Sequence, residues 1–231
     1  MKKITFLVFS CLCCQISFAQ DKLGFEFGVM KSYFGHIAND AQTGHLSDPC
    51  LTFGFQYLHK VAGHFHAGAK VSLQQYSFNY DFNDNRGGYA YGENISHKSV
   101  YLAIAPTADV GVGYKQHTHF YISFAPSLLL TGVQNVHEYE FDPKNNINFD
   151  SSYGGSKNVS SFLFHTYLGC EQYIHINRSW HIIIDAAFSI IGSNVTSLTY
   201  IGDQQVHIGN VYFQLGLLHS FHRIVYDTEG K

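Results

Sequence analysis

The chain is short of charge. Asp, Glu, Lys and Arg make up 13% of its 231 residues, against roughly a quarter in ordinary soluble domains. The little charge present leans acidic, 17 Asp and Glu against 14 Lys and Arg. No nucleic-acid partner is expected, because that function needs a basic face. After position 20 no apolar run approaches the ~20 residues of a membrane-spanning helix. Cysteine is also scarce: Cys11, Cys13 and Cys14 lie near the N-terminus, leaving Cys50 and Cys170 for the folded part. No nucleophile elbow, phosphate loop or dinucleotide fingerprint occurs. Catalytic, cofactor-binding and metal sets are accordingly expected to be absent.

The N-terminus reads as an export signal. Lys2 and Lys3 precede an apolar stretch from Ile4 through Cys14, and Ser17-Phe18-Ala19 offers a cleavage site before Gln20. The expected division is a signal peptide at 1–19 and one β-barrel domain at 20–231. A lipid anchor on Cys11 is the competing reading, but Phe9 fits such a site poorly. Without the leader, 12 basic residues face 17 acidic ones.

Aromatic residues are abundant at 16%, yet mean hydropathy is a neutral −0.07. A barrel reconciles the two, because only alternate residues of each strand meet lipid. Period-two alternation predicts eight strands, at about 23–33, 50–60, 64–78, 99–114, 118–132, 160–174, 179–191 and 207–221. Leu23, Phe25, Phe27 and Val29 share one face of the first strand. Val211, Phe213, Leu215 and Leu217 share one face of the last. Glu26, Lys60, Lys70, Asp109, Glu171 and Asp185 all fall on the opposite, glycine-rich face. A charge on a lipid face costs ~2–4 kcal/mol at the bilayer midplane, whereas a soluble sandwich would turn its charged face outward. The expected fold is therefore an all-β, eight-stranded antiparallel up-and-down transmembrane barrel. Its long connections should cover residues 34–49, 79–98, 133–159 and 192–206, with short turns near 61–63, 115–117 and 176–178. Pro106 and Pro126 interrupt two strands. Folding the hairpin between them sets them almost opposite, which predicts one shared bulge or break.

Several segments carry a likeness: the leader ending Ser17-Phe18-Ala19-Gln20, the strand-turn-strand run from Leu51 to Phe78, Val100 to Pro106 before a hairpin, and the alternating strand that closes at Phe221. In these the chain resembles the outer-membrane β-barrel domain family of Bacteroidota, the PorT-like group. The resemblance implies an outer-membrane location and an envelope or secretion-accessory role. Pro126 and the ten residues after Phe221 depart from that pattern.

Fifteen histidines are present. His59, His64, His66, His117, His119, His175, His181, His219 and His222 fall near one predicted rim. His64/His66 and His117/His119 have the i, i+2 spacing that places a pair on one strand face, as a metal site could use. No cysteine or carboxylate accompanies them at metal spacing, so interfacial histidines are the expected reading. Glu26, Asp109, Glu171 and Asp185, with Lys60, Lys70, His165 and His181, should form a hydrogen-bonded network filling the lumen, since eight strands leave no open pore. Asp81 to Gly87 matches a calcium loop only weakly, lacking the required glycine and glutamate. Glu138, Glu140, Asp142 and Asp150 make the 133–159 connection acidic. The function expected is a non-enzymatic scaffold, surface-contact or envelope-accessory barrel that meets outer-membrane lipid and an envelope or extracellular protein. The alternatives are a lipid-modifying outer-membrane enzyme, an acyl hydrolase or transferase with His165 or His181 as base, and a soluble periplasmic lipid-binding barrel. Cys50 and Cys170 fall on opposite faces, so no disulfide is expected.

Overall fold

Alternation gives each strand one apolar and one polar face, and the chain is built from strands accordingly. The structure, a computed structural model, describes residues 21–35, 42–43, 48–86, 89–113, 117–155, 159–192 and 207–221. The leader, Cys11 and the tail beyond Phe221 lie outside the described residues. The strands are β1 (Asp21–Gly35), β2 (Gln42–Thr43), β3 (Cys50–Ala62), β4 (Phe65–Arg86), β5 (Tyr89–Val112), β6 (Thr118–Asp142), β7 (Ile147–Gly155), β8 (Phe162–His175), β9 (Trp180–Gly192) and β10 (His207–Ser220).

Eight of these close a ring. β1 pairs antiparallel with β3, and pairing continues through β4, β5, β6, β8 and β9 to β10. β10 returns to β1, from Lys22↔Ser220 to Gly35↔His207. The expected eight-stranded antiparallel barrel is thus present, and closure satisfies the strand edges that an open sheet would expose. β2 and β7 lie outside the ring, on β4 and β6 respectively.

The faces follow the sequence pattern. Phe25, Phe27, Phe53, Phe55, Ile104, Phe124, Phe188, Phe213 and Leu215 point outward and are exposed, whereas Glu26, Lys70, Asp109, Glu171 and Asp185 are buried inside. Thr166 departs from the expected outward set: it is buried, at an irregularity where β9 carries Ile190 without a partner between Thr166↔Ile191 and Tyr167↔Ser189. β8 keeps its alternation on either side, with Phe164 and Leu168 outward and His165 and Tyr167 inward. Cys50 is buried, Cys170 half-buried, and both are free. Close backbone approach explains one lumen glycine. A Cβ on Gly68 would stand 1.8 Å from the Tyr57 carbonyl oxygen.

The two prolines share one defect, as the hairpin register predicts. β5 and β6 pair at Ala103↔Ser127 and again at Thr107↔Ser123, with no pairing between. Inside the break, the Thr107 hydroxyl donates to the Ala105 carbonyl at 2.9 Å and the Ser127 hydroxyl to the Ala125 carbonyl at 3.2 Å. Each proline still has a register partner on its other side, Ala69 for Pro106 and Phe164 for Pro126.

Two expected loops are not loops. Residues 79–86 and 89–98 continue β4 and β5 as a paired ladder ending at Arg86↔Tyr89. Most of 133–159 forms the upper part of β6 and its hairpin partner β7. The cause is that alternation persists while the outward face turns polar: Gln75, Lys98 and Asn135 are exposed where Leu73, Ile104 and Leu128 lie lower down. The weak calcium-loop match at 81–86 is a regular strand in this ladder, so it cannot wrap an ion as a loop. At the β6–β7 turn, Asp142 accepts hydrogen bonds from the Lys144 and Asn145 amides, at 2.9 and 3.3 Å. Asn146 has a φ of 57°, a left-handed conformation that asparagine tolerates.

Candidate functional site

The lumen holds two polar clusters at different heights. In the first, Lys70 of β4 reaches across the barrel. Its Nζ donates to Glu171 Oε1 at 2.6 Å and Asp185 Oδ2 at 2.9 Å, and lies 3.5 Å from Glu26 Oε2. Tyr121 donates to Asp185 Oδ1 at 2.9 Å and contacts the Tyr212 hydroxyl. Tyr173 donates to Glu171 Oε2 at 2.7 Å. The ammonium also sits 4.3 Å from the centre of the Tyr121 ring. Strand parity brings these groups together, each projecting inward from β1, β4, β6, β8, β9 or β10. Beside them remains a cavity of about 20 Å³ lined by Glu26, Lys70, Tyr167 and Tyr212, about room for a water.

Above lies a tyrosine layer. Asn210 donates to the Tyr76 and Tyr167 hydroxyls, both at 3.2 Å, and accepts from Ser32 at 2.9 Å. His165 stacks between Tyr76 and Tyr167, at centroid distances of 6.1 and 5.7 Å. The lumen network expected from the sequence therefore exists around Lys70, with two changes. Lys60 lies nearer the turn, in register with His66, and Asp109 belongs to the second cluster.

That cluster occupies the end of the lumen nearest the short turns. His66 and Asp109 are register partners across β4 and β5, and His119 follows on β6 opposite Gly111. His119 Nδ1 is 2.7 and 3.0 Å from the two Asp109 oxygens. His66 Nδ1 is 3.0 Å from Asp109 Oδ1. All three residues are at least 98% buried. The sequence pairs His64/His66 and His117/His119 do not act as pairs. His64 and His117 fall in the turns outside the strands, where i, i+2 geometry lapses, and their inner members meet across β5 instead. The carboxylate found no place in the linear spacing because it comes from the strand between. His181, like His165, is buried among rings, with Tyr173 at 6.2 Å and His175 at 4.4 Å.

A third feature stands beyond the apolar band, where β4, β5, β6 and β7 extend as a sheet. Tyr153 donates to Glu138 at 2.7 Å, and His137 contacts Asp150 at 2.9 Å. Phe141, Phe149 and Tyr153 are exposed between these polar groups. Burial, and then the Glu138 charge, pushes the Glu93 carboxyl from 4.5 up to about 7. Folding thus favours its protonated form, and stability contributed by this sheet declines as pH rises from 4.5 through 7. Glu93→Gln should leave stability unchanged below pH 4.5 and raise it above pH 7. Amide exchange in β5 and β6 at the two pH values reads this directly.

No family model matches the chain, and no curated protein does. Solved structures similar to it include Neisserial surface protein A (8% identity, TM-score 0.44, 87% of this chain and 97% of that one). They also include the attachment invasion locus protein Ail of Yersinia pestis (7%, 0.36, 88% and 99%). A third is the outer membrane protein OprG of Pseudomonas aeruginosa (10%, 0.35, 89% and 97%). The fold itself rests on the strand pairing described above.

Proposed function

We propose that this chain is an integral outer-membrane barrel with a filled lumen, whose extended β4–β7 sheet is a contact surface for an extracellular or envelope protein. One observation carries the reading. Among the described residues, the outward side chains between Leu51 and Phe55, Phe65 and Leu73, Val100 and Val112, Phe120 and Leu130, and Val211 and Leu217 include no charged group. These runs extend from five residues (51–55) to thirteen (100–112) and bracket the roughly 9–11 with which a tilted strand crosses a bilayer's hydrocarbon core. Trp180, Phe65, Phe120, Phe221 and Tyr57 gather at the end with short turns, as an interfacial girdle does. A soluble barrel holding lipid would invert this arrangement, with apolar side chains inside. The role is non-enzymatic in this reading, since His165 and His181, the bases a lipid-modifying reaction would use, are packed in aromatic layers. The resemblance to PorT-like barrels supports an envelope or secretion-accessory role, which the exposed aromatic and acidic groups of the β6–β7 hairpin would serve.

Location and orientation are tested together in a background with Cys50 and Cys170 replaced by serine. A cysteine introduced as Asn145→Cys should react with a membrane-impermeant maleimide on intact cells. One introduced as Arg178→Cys should react only after the outer membrane is permeabilised. Recovery of the protein in the envelope's soluble fraction, or the reverse labelling, overturns the reading.

A further inference from the structure

We infer that His66, Asp109 and His119 form a binding site for a divalent transition-metal ion of the zinc, cobalt or nickel class. Three adjacent strands present two imidazoles and one carboxylate whose ligand atoms all lie within 4.8 Å of one another. Nitrogen and oxygen donors at 2.0–2.2 Å from an ion are separated by roughly 3–3.5 Å, and the contacts here, 2.7 to 3.0 Å, need only a small opening. Imidazole with carboxylate suits borderline metals rather than calcium or magnesium. Three protein ligands leave a fourth position for water.

A hydrogen-bonded triad alone does not account for the geometry. His119 Nδ1 engages both oxygens of Asp109, and His66 Nδ1, aimed at the same oxygen from 3.0 Å, makes no aligned hydrogen bond although its side chain is 97% buried. A buried nitrogen left so costs free energy unless something fills its lone pair, and a metal ion does that for both rings at once. Tyr173 stacks on His119 with centroids 4.3 Å apart, fixing the ring plane as ligand-supporting neighbours do. Gly111, the register partner of His119, brings no side chain of its own to the cluster, and the Lys22 ammonium stands beside it, 4.7 Å from the centre of the Tyr173 ring.

The carboxylate cluster of Glu26, Glu171 and Asp185 differs, because the Lys70 ammonium already occupies its centre. The histidines at the rim are the real competitor. His117 and His175 rings are 4.5 Å apart, and His175 and His181 rings 4.4 Å apart.

The full chain, folded in detergent micelles and freed of metal with chelator, is titrated with Zn²⁺ by calorimetry and with Co²⁺ by visible absorbance. One ion per chain is expected, with micromolar affinity and a Co²⁺ spectrum of mixed nitrogen and oxygen ligation. Asp109→Asn, which preserves shape, and His66→Ala should each weaken Zn²⁺ binding by about 100-fold, in line with the cost of disturbing metal sites. Heat-modifiable gel mobility verifies that each variant is folded. His117→Ala/His175→Ala should bind as the parent does. Absence of saturable binding by the parent overturns the site. So does parental affinity in folded Asp109→Asn, or loss of binding in the rim variant alone.

Discussion

Lys70→Met should destabilise the barrel by about 3–5 kcal/mol, the cost of leaving buried charges without their partner. Lys70 is the cation on which three carboxylates converge, and its side chain is 90% buried. Removing it leaves Glu171 and Asp185 facing each other across β8 and β9, where they are register partners, in a lumen with little room for water. Glu26 Oε1 already lacks a hydrogen-bond partner there. The urea midpoint should fall well below that of the parent, and the heat-modifiable band should be lost at lower temperature. Adding Glu171→Gln and Asp185→Asn to Lys70→Met removes two of the stranded charges and should restore most of the loss. A Lys70→Met variant as stable as the parent would mean that the carboxylates are solvated and the lumen open. The same cluster is why passive diffusion is not the expected role: Lys70, Tyr121, Tyr173 and Tyr212 fill the middle of the ring.

The sequence made the faces of the barrel legible, because a side-chain period of two survives wherever a strand separates an apolar outer surface from a packed interior. Phe53, Phe213, Lys70 and Asp185 each point where alternation put them. Strand length was less legible. Hydrophobicity marks contact with lipid, whereas pairing is set by backbone hydrogen bonds. A strand that rises beyond the apolar band loses its oily face at Gln75 or Lys98 and keeps its ladder, so residues 79–98 look like a loop. Thr166 departs from the pattern locally, beside the unpaired Ile190 of β9, while Leu168 beyond it still faces outward; nothing at Thr166-Tyr167 announces it.

The two lumen clusters divide along the same line. Lys70 with Glu26, Glu171 and Asp185 follows from parity alone, since few charges share a narrow interior. His66, Asp109 and His119 need register as well. Their meeting depends on where the turns at Gly63 and after Gly113 place β4, β5 and β6, two positions with positive φ. The i, i+2 histidine pairs were visible and misleading, because each pair straddles a turn and a strand. Register also carries the extended sheet, whose polar and aromatic side chains stand on ladders continuous with the barrel.

Leu215→Lys should cost about 2–4 kcal/mol in lipid vesicles, the price of a basic side chain at the bilayer midplane. Leu215 is 41% exposed near the middle of β10, flanked by Phe27 and Ile184 on the neighbouring strands. Its surroundings therefore offer a lysine neither a carboxylate nor a nearby water interface. Gln75→Lys is the matched control. It points the same way but lies on β4 just past Leu73, where the outward face becomes polar, and should cost about 0–1 kcal/mol, as charges near the interface do. Denaturant unfolding of both variants, refolded into vesicles of the same lipid, gives the difference. In water the order would change, because an exposed lysine replacing an exposed leucine removes apolar surface from solvent and should be neutral or stabilising. Equal midpoints for Leu215→Lys and the parent would therefore place that face in water and remove the membrane from the account.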